Sequence, residues 1–328
     1  AAGVVSRRPA RYLVRTLSPA ADAMKRVLTV PANLDERAFD ALLADARDAS
    51  AADCLLDARR LRWADPYGMI GLLALGKTLG AQGARPVLQL PESADVLSYL
   101  DRMAFFREAE ALFELHGAPR PRRNGGPSNV LLEITPIRSH EDVHGVIDHI
   151  LDRAGIILVE KLGYRAAEAA FFGMILSEVC QNVVEHAEAG GWVGIQAYNW
   201  SKRLSRQVVV IAVMDLGVGF RGSLTREHAA RFGDRWGDAT ALEAAFLHGV
   251  SRFRDPGRGQ GLKQIRARVV RWGGKISIRS GTARIAQVPE WDDAPPLESG
   301  LAPLPGAQIL IVIPAREPAG GGATAGAR

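Results

Sequence analysis

The first third of the chain alternates apolar runs with amphipathic segments. Three short apolar runs predict buried strands, at 27–31, 54–58 and 86–91. Apolar residues spaced three or four positions apart predict helices at 35–47, from the DPYG turn at 65–68 to Gly83, and at 93–106. Strands and helices in this alternating order indicate an α/β domain whose helices pack on a sheet.

The rest of the chain follows a second pattern of elements. The predicted strands are 130–136, 191–200, 208–215, 275–281 and 308–314. The predicted helices begin near Ser139, span 166–187, and follow a glycine-rich turn within 257–274. We therefore expect a two-domain α/β protein with a basic arm at 1–26, domains at 27–117 and 130–316, a Pro/Arg/Gly-rich linker at 118–129 and a flexible tail at 317–328.

The composition is that of a globular protein, since 47% hydrophobic and 23% charged residues exclude wholesale disorder. The two cysteines, Cys54 and Cys180, are too few for a zinc site or a disulfide framework and suit a reducing cytoplasm. No apolar run approaches the roughly 18 residues of a membrane-spanning helix. We expect a soluble, cytoplasmic protein that makes no membrane contact.

The net charge of +5 is concentrated at the amino terminus. Six basic residues and one aspartate fall within residues 1–26, so the rest of the chain is about neutral. Such an arm can contact nucleic acid or an acidic lipid surface, although a solvated tail is the more common case. No groove-reading motif accompanies it, so nucleic-acid binding by the folded body is not expected.

The helix predicted at 166–187 carries polar residues on one face. Glu178, Asn182 and His186 recur every four residues, and apolar side chains cover the rest of the helix. A carboxylate and a carboxamide on a largely buried helix need partners. Oxygen ligands of this kind suit Mg²⁺, which is usually held by one or two protein groups together with substrate phosphates. His186 is equally well explained as a packing histidine.

Two glycine-rich motifs follow. In DLGVGF (215–220), Asp215 ends a buried strand and can accept a hydrogen bond from an exocyclic amine, while Gly217 and Gly219 let the backbone approach a flat ring. In GRGQGL (257–262), backbone amides at a helix start form an anion site suited to phosphates. A dinucleotide-binding Rossmann unit is disfavoured, because no strand precedes GRGQGL and no helix is predicted to open from DLGVGF.

In this order, SEVCQNVVEHA, DLGVGF and GRGQGL resemble the N box and the two glycine boxes of the GHKL ATPases, which include histidine kinases, gyrase and the anti-sigma-factor serine kinases. The resemblance covers about 130–315 and implies a Bergerat-type α/β sandwich. The compact N box is most similar to that of the anti-sigma-factor kinases. No phosphoacceptor-histidine helix is present, so a histidine autokinase is not expected.

The resemblance implies a role for each motif residue. Asn182 would coordinate Mg²⁺, and Glu178 would orient or deprotonate the attacking hydroxyl or water. Asp215 would bond the adenine amino group of ATP. Residues 221–256 would form a mobile lid. The remaining implied contacts are Gly217 and Gly219 with the base, and Gly257, Arg258, Gly259, Gln260, Gly261 and Lys263 with the phosphates. The family's Gly-Thr pair before the last strand is replaced by Gly306-Ala307, which removes one hydroxyl contact.

The first domain resembles a STAS domain over about 26–116, with its best match at LLDARRLRWADPYGMIGLLALGKTLGAQG (55–83). This implies a mixed sheet with helices. Partner-switching members carry a phosphorylated Ser or Thr where this chain has Tyr67, preceded by Pro66. A serine kinase would find no hydroxyl of the right kind there, so a docking or scaffold role is favoured over a phospho-switch.

Three functions are consistent with these motifs. The first is an ATP-binding regulator built like an anti-sigma-factor kinase fused to its STAS-like partner, which would bind a sigma-factor-like or STAS-type protein. The second is an ATPase that uses hydrolysis for conformational change. The third is a scaffold that binds ATP without catalysis. Whether ATP is transferred, hydrolysed or only bound stays open, as does a possible homodimer.

Overall fold

A computed structural model describes residues 26–52, 54–117, 130–154, 158–160, 162–186, 190–200, 204–251 and 260–316. The predicted arm before Arg26, the linker at 118–129 and the tail at 317–328 lie outside these ranges. The strands are β1 (Arg26–Thr29), β2 (Asn33–Leu34), β3 (Cys54–Asp57), β4 (Trp63–Ala64), β5 (Val87–Gln89), β6 (Glu114–His116), β7 (Val130–Ile137), β8 (Gly191–Trp200), β9 (Arg206–Asp215), β10 (Lys275–Gln287) and β11 (Leu297–Pro314). The helices are α1 (Glu36–Asp45), α2 (Pro66–Leu79), α3 (Ala94–Arg102), α4 (Phe105–Leu112), α5 (His140–Ala154), α6 (Ala166–His186), α7 (Gly219–Phe232), α8 (Asp238–His248) and α9 (Gln260–Arg271).

The strands form two main sheets. The N-terminal unit, residues 26–117, contains a four-stranded sheet in the order β1-β3-β5-β6, and β2 pairs with β4 beside it. Each of these pairings is parallel, so the expectation of a mixed sheet is wrong for the described strands. The second sheet has the order β10-β11-β9-β8-β7, and all its neighbours are antiparallel.

Both faces of the five-stranded sheet are covered. On β11, Ile309, Ile311 and Ile313 belong to the core that includes apolar residues of α5, α6 and α9. The alternate residues Leu310 and Val312 belong instead to the core of the N-terminal unit. Because side chains alternate between the faces of a strand, a run that is apolar at every position predicts burial on both sides. The N-terminal unit therefore packs on the sheet face opposite α5, α6 and α9.

Helix α2 is the centre of this packing. Twelve of its fourteen residues are buried, which fits a helix that is apolar all round. Asp65 caps its N-terminus by accepting a hydrogen bond from Gly68 N–H (2.8 Å), and Pro66 occupies the first helical position. On the sheet, a Cβ added at Gly194 would lie 3.3 Å from Ile70 Cδ1, so the missing side chain admits α2 closely.

Charged side chains of α1 and β10 join the two units. Glu36 and Asp40 of α1 face Lys275, Arg279 and Arg284 of β10, and these five residues form the interface charge cluster. Lys275 Nζ lies 3.0 Å from Glu36 Oε2, and Arg279 Nε lies 3.1 Å from Asp40 Oδ1. Arg284 pairs with both acids. Four of the five residues are at most 4% exposed, and Asp40 is half-buried.

Several elements differ from their predicted bounds. The helix predicted at 93–106 is two helices, because Ala104 adopts a left-handed conformation (φ 58°) between α3 and α4. Both helices bury apolar residues, so periodicity alone gave no sign of the break. β10 and β11 extend beyond the predicted 275–281 and 308–314 as a long hairpin with register shifts at Gly281. No helix in the described ranges combines the length and hydropathy needed to cross a bilayer.

Tyr67, where the resemblance to a STAS domain implied the phosphosite of partner-switching members, lies in the interface between the two units. Its side chain is fully buried (0% exposed), and its ring contacts Phe39 edge-to-face. Burial strongly raises the pKa of its hydroxyl. The hydroxyl has no hydrogen-bond partner among the described residues. A kinase would therefore reach this oxygen only after the two units had separated.

We expect Tyr67→Phe to leave the free energy of unfolding unchanged or to raise it by about 1 kcal/mol, because the variant removes a buried, unpartnered hydroxyl. Urea unfolding measures the change. Tyr164→Phe is the matched control, since Tyr164 donates a 2.6 Å hydrogen bond to the backbone oxygen of Pro314. It should cost about 1 kcal/mol. A larger loss from Tyr67→Phe than from Tyr164→Phe would contradict the assignment.

Candidate functional site

The carboxylate of Asp215 is buried at the carboxyl end of β9, where the residue is only 7% exposed. Its Oδ1 accepts a hydrogen bond from the backbone N–H of Gly217 (2.8 Å). Burial raises the pKa of Asp215 to about 6, and the backbone N–H groups of Gly217 and Ala307 limit the rise. The group is therefore mainly ionised at neutral pH and is held by fixed donors. Such an acceptor suits a ligand that presents an amine.

Two glycines make close backbone approaches next to Asp215. Gly219 and Gly306 both have positive φ, 65° and 79°. A Cβ at Gly219 would lie 2.5 Å from Ser280 Oγ, and a Cβ at Gly306 would lie 2.5 Å from Asp215 Oδ1. Ser280 Oγ donates to the Gly306 oxygen (2.7 Å) and accepts from Phe220 N–H (3.1 Å). Only glycine fits both positions, because the backbone segments at Gly219 and Gly306 pack closely against their neighbours beside the carboxylate.

Ser280 and Gln308 are functional candidates that sequence reasoning missed. Gln308 is fully buried, and its Nε2 donates to the backbone oxygens of Asp215 (3.3 Å) and Pro305 (2.8 Å). In the sequence, Ser280 and Gln308 could have been noticed because each is a polar residue next to or within the apolar run of a predicted strand. At the Gly306-Ala307 departure, the Ala307 backbone N–H bonds Asp215, but a backbone N–H does not replace the missing hydroxyl.

The polar face predicted for the long helix is present on α6. Glu178 is exposed and Asn182 is half-buried one turn later, while the neighbouring Val179, Cys180 and Val183 are buried. The side chain of His186 lies outside the described part of the structure, so its interpretation as a packing histidine stays untested. The spacing of four residues therefore put the carboxylate and the carboxamide on one edge of the helix, as predicted.

The first turn of α9 meets this edge. A Cβ at Gly261 would collide with Glu178 Oε1 and would lie 2.6 Å from its Cγ. The structure thus brings the Glu178 carboxylate to the N-terminus of α9, where the helix dipole favours negative charge. Gln260 is the first residue of α9, and the side chain of Lys263, three residues later in the helix, is exposed. Gly257, Arg258 and Gly259 lie outside the described residues.

The segment predicted as a polar lid, 221–256, is largely helical in its described part. Contrary to expectation, α7 opens from DLGVGF at Gly219. Leu224 is its one buried residue, so an apolar stripe was missing from the sequence. α8 packs on β10 and buries Leu242 and Phe246 in the core. α8 is therefore a packed helix, and the lid role of residues 221–256 stays a prediction.

No cluster of three or more His, Cys, Asp or Glu side chains suited to a metal occurs within the described residues. A transition-metal centre is therefore not indicated there. Mg²⁺ needs no such cluster, because one or two oxygen ligands and phosphate oxygens suffice. The half-buried carboxamide of Asn182 on α6 fits that requirement.

Comparison with known families agrees with this geometry. Residues 167–314 match the family described as histidine kinase-, DNA gyrase B-, and HSP90-like ATPase. The matched segment begins at the start of α6 and ends with β11, so it contains Glu178, Asn182, Asp215 and both glycine motifs. No curated protein sequence matches the chain. Residues 167–314 are therefore a GHKL-type, ATP-binding domain, and the sequence-based prediction of that domain is confirmed.

Proposed function

We propose that the chain is an ATP-binding regulatory protein in which nucleotide occupancy controls how a protein partner is held. The observation that carries the proposal is the buried Asp215 carboxylate, fixed by backbone N–H groups beside Gly219 and Gly306. This acceptor suits the exocyclic amine of adenine, and the two glycines let the backbone pack closely around the carboxylate and hold it in place. Gly217 would shape the same base pocket.

The phosphates would lie toward α6 and α9. The N-terminus of α9, with Gln260 and Gly261, offers backbone N–H groups and the positive end of the helix dipole. Asn182 would supply an oxygen ligand to Mg²⁺, which when bound neutralises phosphate charge. Four further residues are proposed to contact the phosphates, namely Gly257, Arg258, Gly259 and Lys263.

A chain of buried polar contacts supports coupling between ATP and the N-terminal unit. Gln308 Nε2 donates to the backbone oxygen of Asp215, and Gln308 Oε1 accepts from Arg279 Nη1 (3.3 Å). Arg279 Nε then donates to Asp40 of α1 (3.1 Å). Because each side chain is shared between two neighbours, a shift at Asp215 alters the contacts that hold α1.

We assign the N-terminal unit the role of a STAS-like docking domain. Its position on the five-stranded sheet supports docking, and the buried Tyr67 argues against a phospho-switch. By this proposal the whole chain resembles an anti-sigma-factor serine kinase fused to its partner domain. A sigma-factor-like or STAS-type protein is the proposed partner, and a homodimer is a further expectation.

Glu178 is the proposed catalytic residue, since its carboxylate lies at the start of α9, where the phosphates would sit. It would orient or deprotonate the attacking hydroxyl or water. We expect γ-labelled ATP to lose its label to phosphate or to Ser/Thr on a protein partner. Glu178→Gln should slow this by about 100-fold or more while ATP affinity changes little. The exposed Glu141→Gln on α5 is the matched control.

The outcome separates the three functions. Label found on protein supports the kinase, and phosphate release without labelled protein supports the ATPase. Saturable binding of Mg·ATP without turnover would leave an ATP-bound scaffold and would contradict the role of Glu178. Absence of both binding and turnover would overturn the proposal as a whole.

Gly261→Ala tests the contact between the two motifs. The added methyl would displace the flexible Glu178 side chain, and misplacement of a reacting group by about 1 Å can cost about 100-fold in rate. We expect turnover to fall by that order while the urea midpoint stays nearly constant. Gly145→Ala on α5 is the control, because a Cβ there meets nothing within 4 Å. Equal turnover in the two variants would argue against a working Glu178–α9 contact.

A further inference from the structure

A cavity separate from the proposed nucleotide site lies where the N-terminal unit meets the five-stranded sheet. Its volume is about 780 Å³, within the range of small-molecule sites. Its floor includes Leu310 and Val312, which face the N-terminal unit. Asp215 follows Val213 by two residues on β9 and so shares the face of Val213, which α6 and α9 cover. This interface cavity and the nucleotide pocket are therefore on opposite faces of one sheet.

Tryptophans line the interface cavity. Trp63, Trp200 and Trp291 are three of the chain's six tryptophans. The rings of Trp200 and Trp291 meet edge-to-face with centroids 6.0 Å apart, and Trp291 Nε1 donates to the backbone oxygen of Gly273 (2.8 Å). Trp63 contacts the ring of Tyr198 edge-to-face at 5.5 Å. These rings are thus held in place by their neighbours and offer π faces that attract cations.

The charged lining of the cavity is mainly acidic. Six carboxylates contribute to it, against two basic side chains, Arg37 and Lys275. Both bases are already engaged: Arg37 with Asp292 and Asp293, and Lys275 with Glu36 and Asp292. The other acids of the lining are Asp35, Asp65 and Glu290, none of which belongs to an ion pair in the described part of the chain. The lining therefore carries net negative charge.

Two buried acids of the lining differ in their partners. Glu36 is already paired, because its Oε2 lies 3.0 Å from Lys275 Nζ and its Oε1 lies 3.2 Å from Arg284 Nε. Asp65 is 4% exposed, and burial raises the pKa of its carboxyl to about 8. A cation in the cavity would favour the ionised form of Asp65, because opposite charge offsets the cost of burial.

We infer that the interface cavity binds a small organic cation, an amine or quaternary ammonium with an apolar body. The tryptophan faces and the acidic lining would hold the charged group, and the floor of Leu310 and Val312 would contact the apolar part. Since residues of both units line the cavity, such a ligand would contact both at once. The inference does not depend on ATP binding, which occurs on the other face of the sheet.

The test titrates choline, agmatine and spermidine into the full chain, with calorimetry and tryptophan emission as readouts. We expect saturable binding of at least one cation. 3,3-Dimethyl-1-butanol, the uncharged counterpart of choline, should bind at least about tenfold more weakly than choline if choline is the ligand that binds. Trp200→Leu and Glu290→Gln should each weaken cation binding by about fivefold.

Matched substitutions outside the cavity are the controls. Trp236→Leu alters a tryptophan that contacts Phe232, and Glu141→Gln alters an exposed acid on α5. Both should leave cation affinity unchanged. Glu290 is exposed, so its variant tests the site even if Trp200→Leu fails to fold. Absence of saturable binding for all three cations, or equal weakening by cavity and control variants, would overturn the inference. So would equal affinity for choline and its uncharged counterpart where choline is the ligand.

Discussion

Asp215→Ala is expected to weaken Mg·ATP binding by roughly 10- to 150-fold, the loss that follows removal of a hydrogen bond to a charged acceptor. The reason is that Asp215 is the buried carboxylate fixed by Gly217 and Ala307 at the proposed adenine position. Calorimetry on the full chain measures the change. Because burial disfavours the ionised carboxylate, the substitution should not by itself unfold the protein.

Asp234→Ala is the matched control, since Asp234 is exposed in the turn between α7 and α8. It should leave ATP affinity unchanged. If Asp215→Ala binds ATP as tightly as Asp234→Ala does, Asp215 is not the adenine acceptor. A thermal scan of both variants distinguishes a lost contact from a lost fold.

The pKa of Asp215 makes the proposed contact between this carboxylate and adenine depend on pH. With a pKa raised to about 6, the carboxyl becomes protonated as pH falls below that value and stops being a strong acceptor. The proposed contact with the adenine amine requires the ionised form, so ATP affinity should fall by about tenfold per pH unit below pH 6 and level off above it. ATP phosphates titrate in the same region, so the comparison is with Asp215→Asn. The additional loss of ATP affinity below pH 6 should be absent from Asp215→Asn.

Arg284→Met is expected to lower the free energy of unfolding by about 3–5 kcal/mol, the cost of removing one partner from a buried ion pair. Arg284 is 4% exposed in its side chain and pairs with Glu36, Asp40 and Glu298. Nearby acids hold its pKa above the usual range despite burial. The substitution leaves those carboxylates with less compensating charge. Urea unfolding measures the loss.

Arg226→Met is the control for charge loss at the surface. Arg226 pairs with Glu227 at 3.7 Å, and its side chain is 94% exposed, so the change should cost less than about 1 kcal/mol. In the Arg284→Met background, Glu36→Gln should restore part of the stability, because it removes one uncompensated acid. Equal losses from Arg226→Met and Arg284→Met would mean that the interface charge cluster does not hold the two units together.

The positions of most helices and strands were predictable from the sequence. The runs around α6, β8, β9 and α9 show local periodicity, which depends only on residues near one another in the chain. The boxes around Asn182, Asp215 and Gly261 were predictable for the same reason, since each is a short motif with its own local chemistry. α7 was not predicted because Leu224 is its one buried residue, and the break at Ala104 was not predicted because both flanking helices bury apolar residues.

Contacts between distant residues were decided only by the tertiary structure. Glu36 and Lys275 are 239 residues apart, so no local pattern indicated that their charges would meet in a buried interface. The same holds for Ser280 and Gln308 beside Asp215, and for the tryptophans of the interface cavity.

The sequence by itself determined the α/β elements, the GHKL-type boxes and the glycines that the site requires, because local propensity and short motifs specify them. The tertiary structure decided which face of the sheet the N-terminal unit covers, since an apolar strand run predicts burial without naming its partner. It also decided that Tyr67 is buried, because α2 is covered on all sides only when both units are folded together.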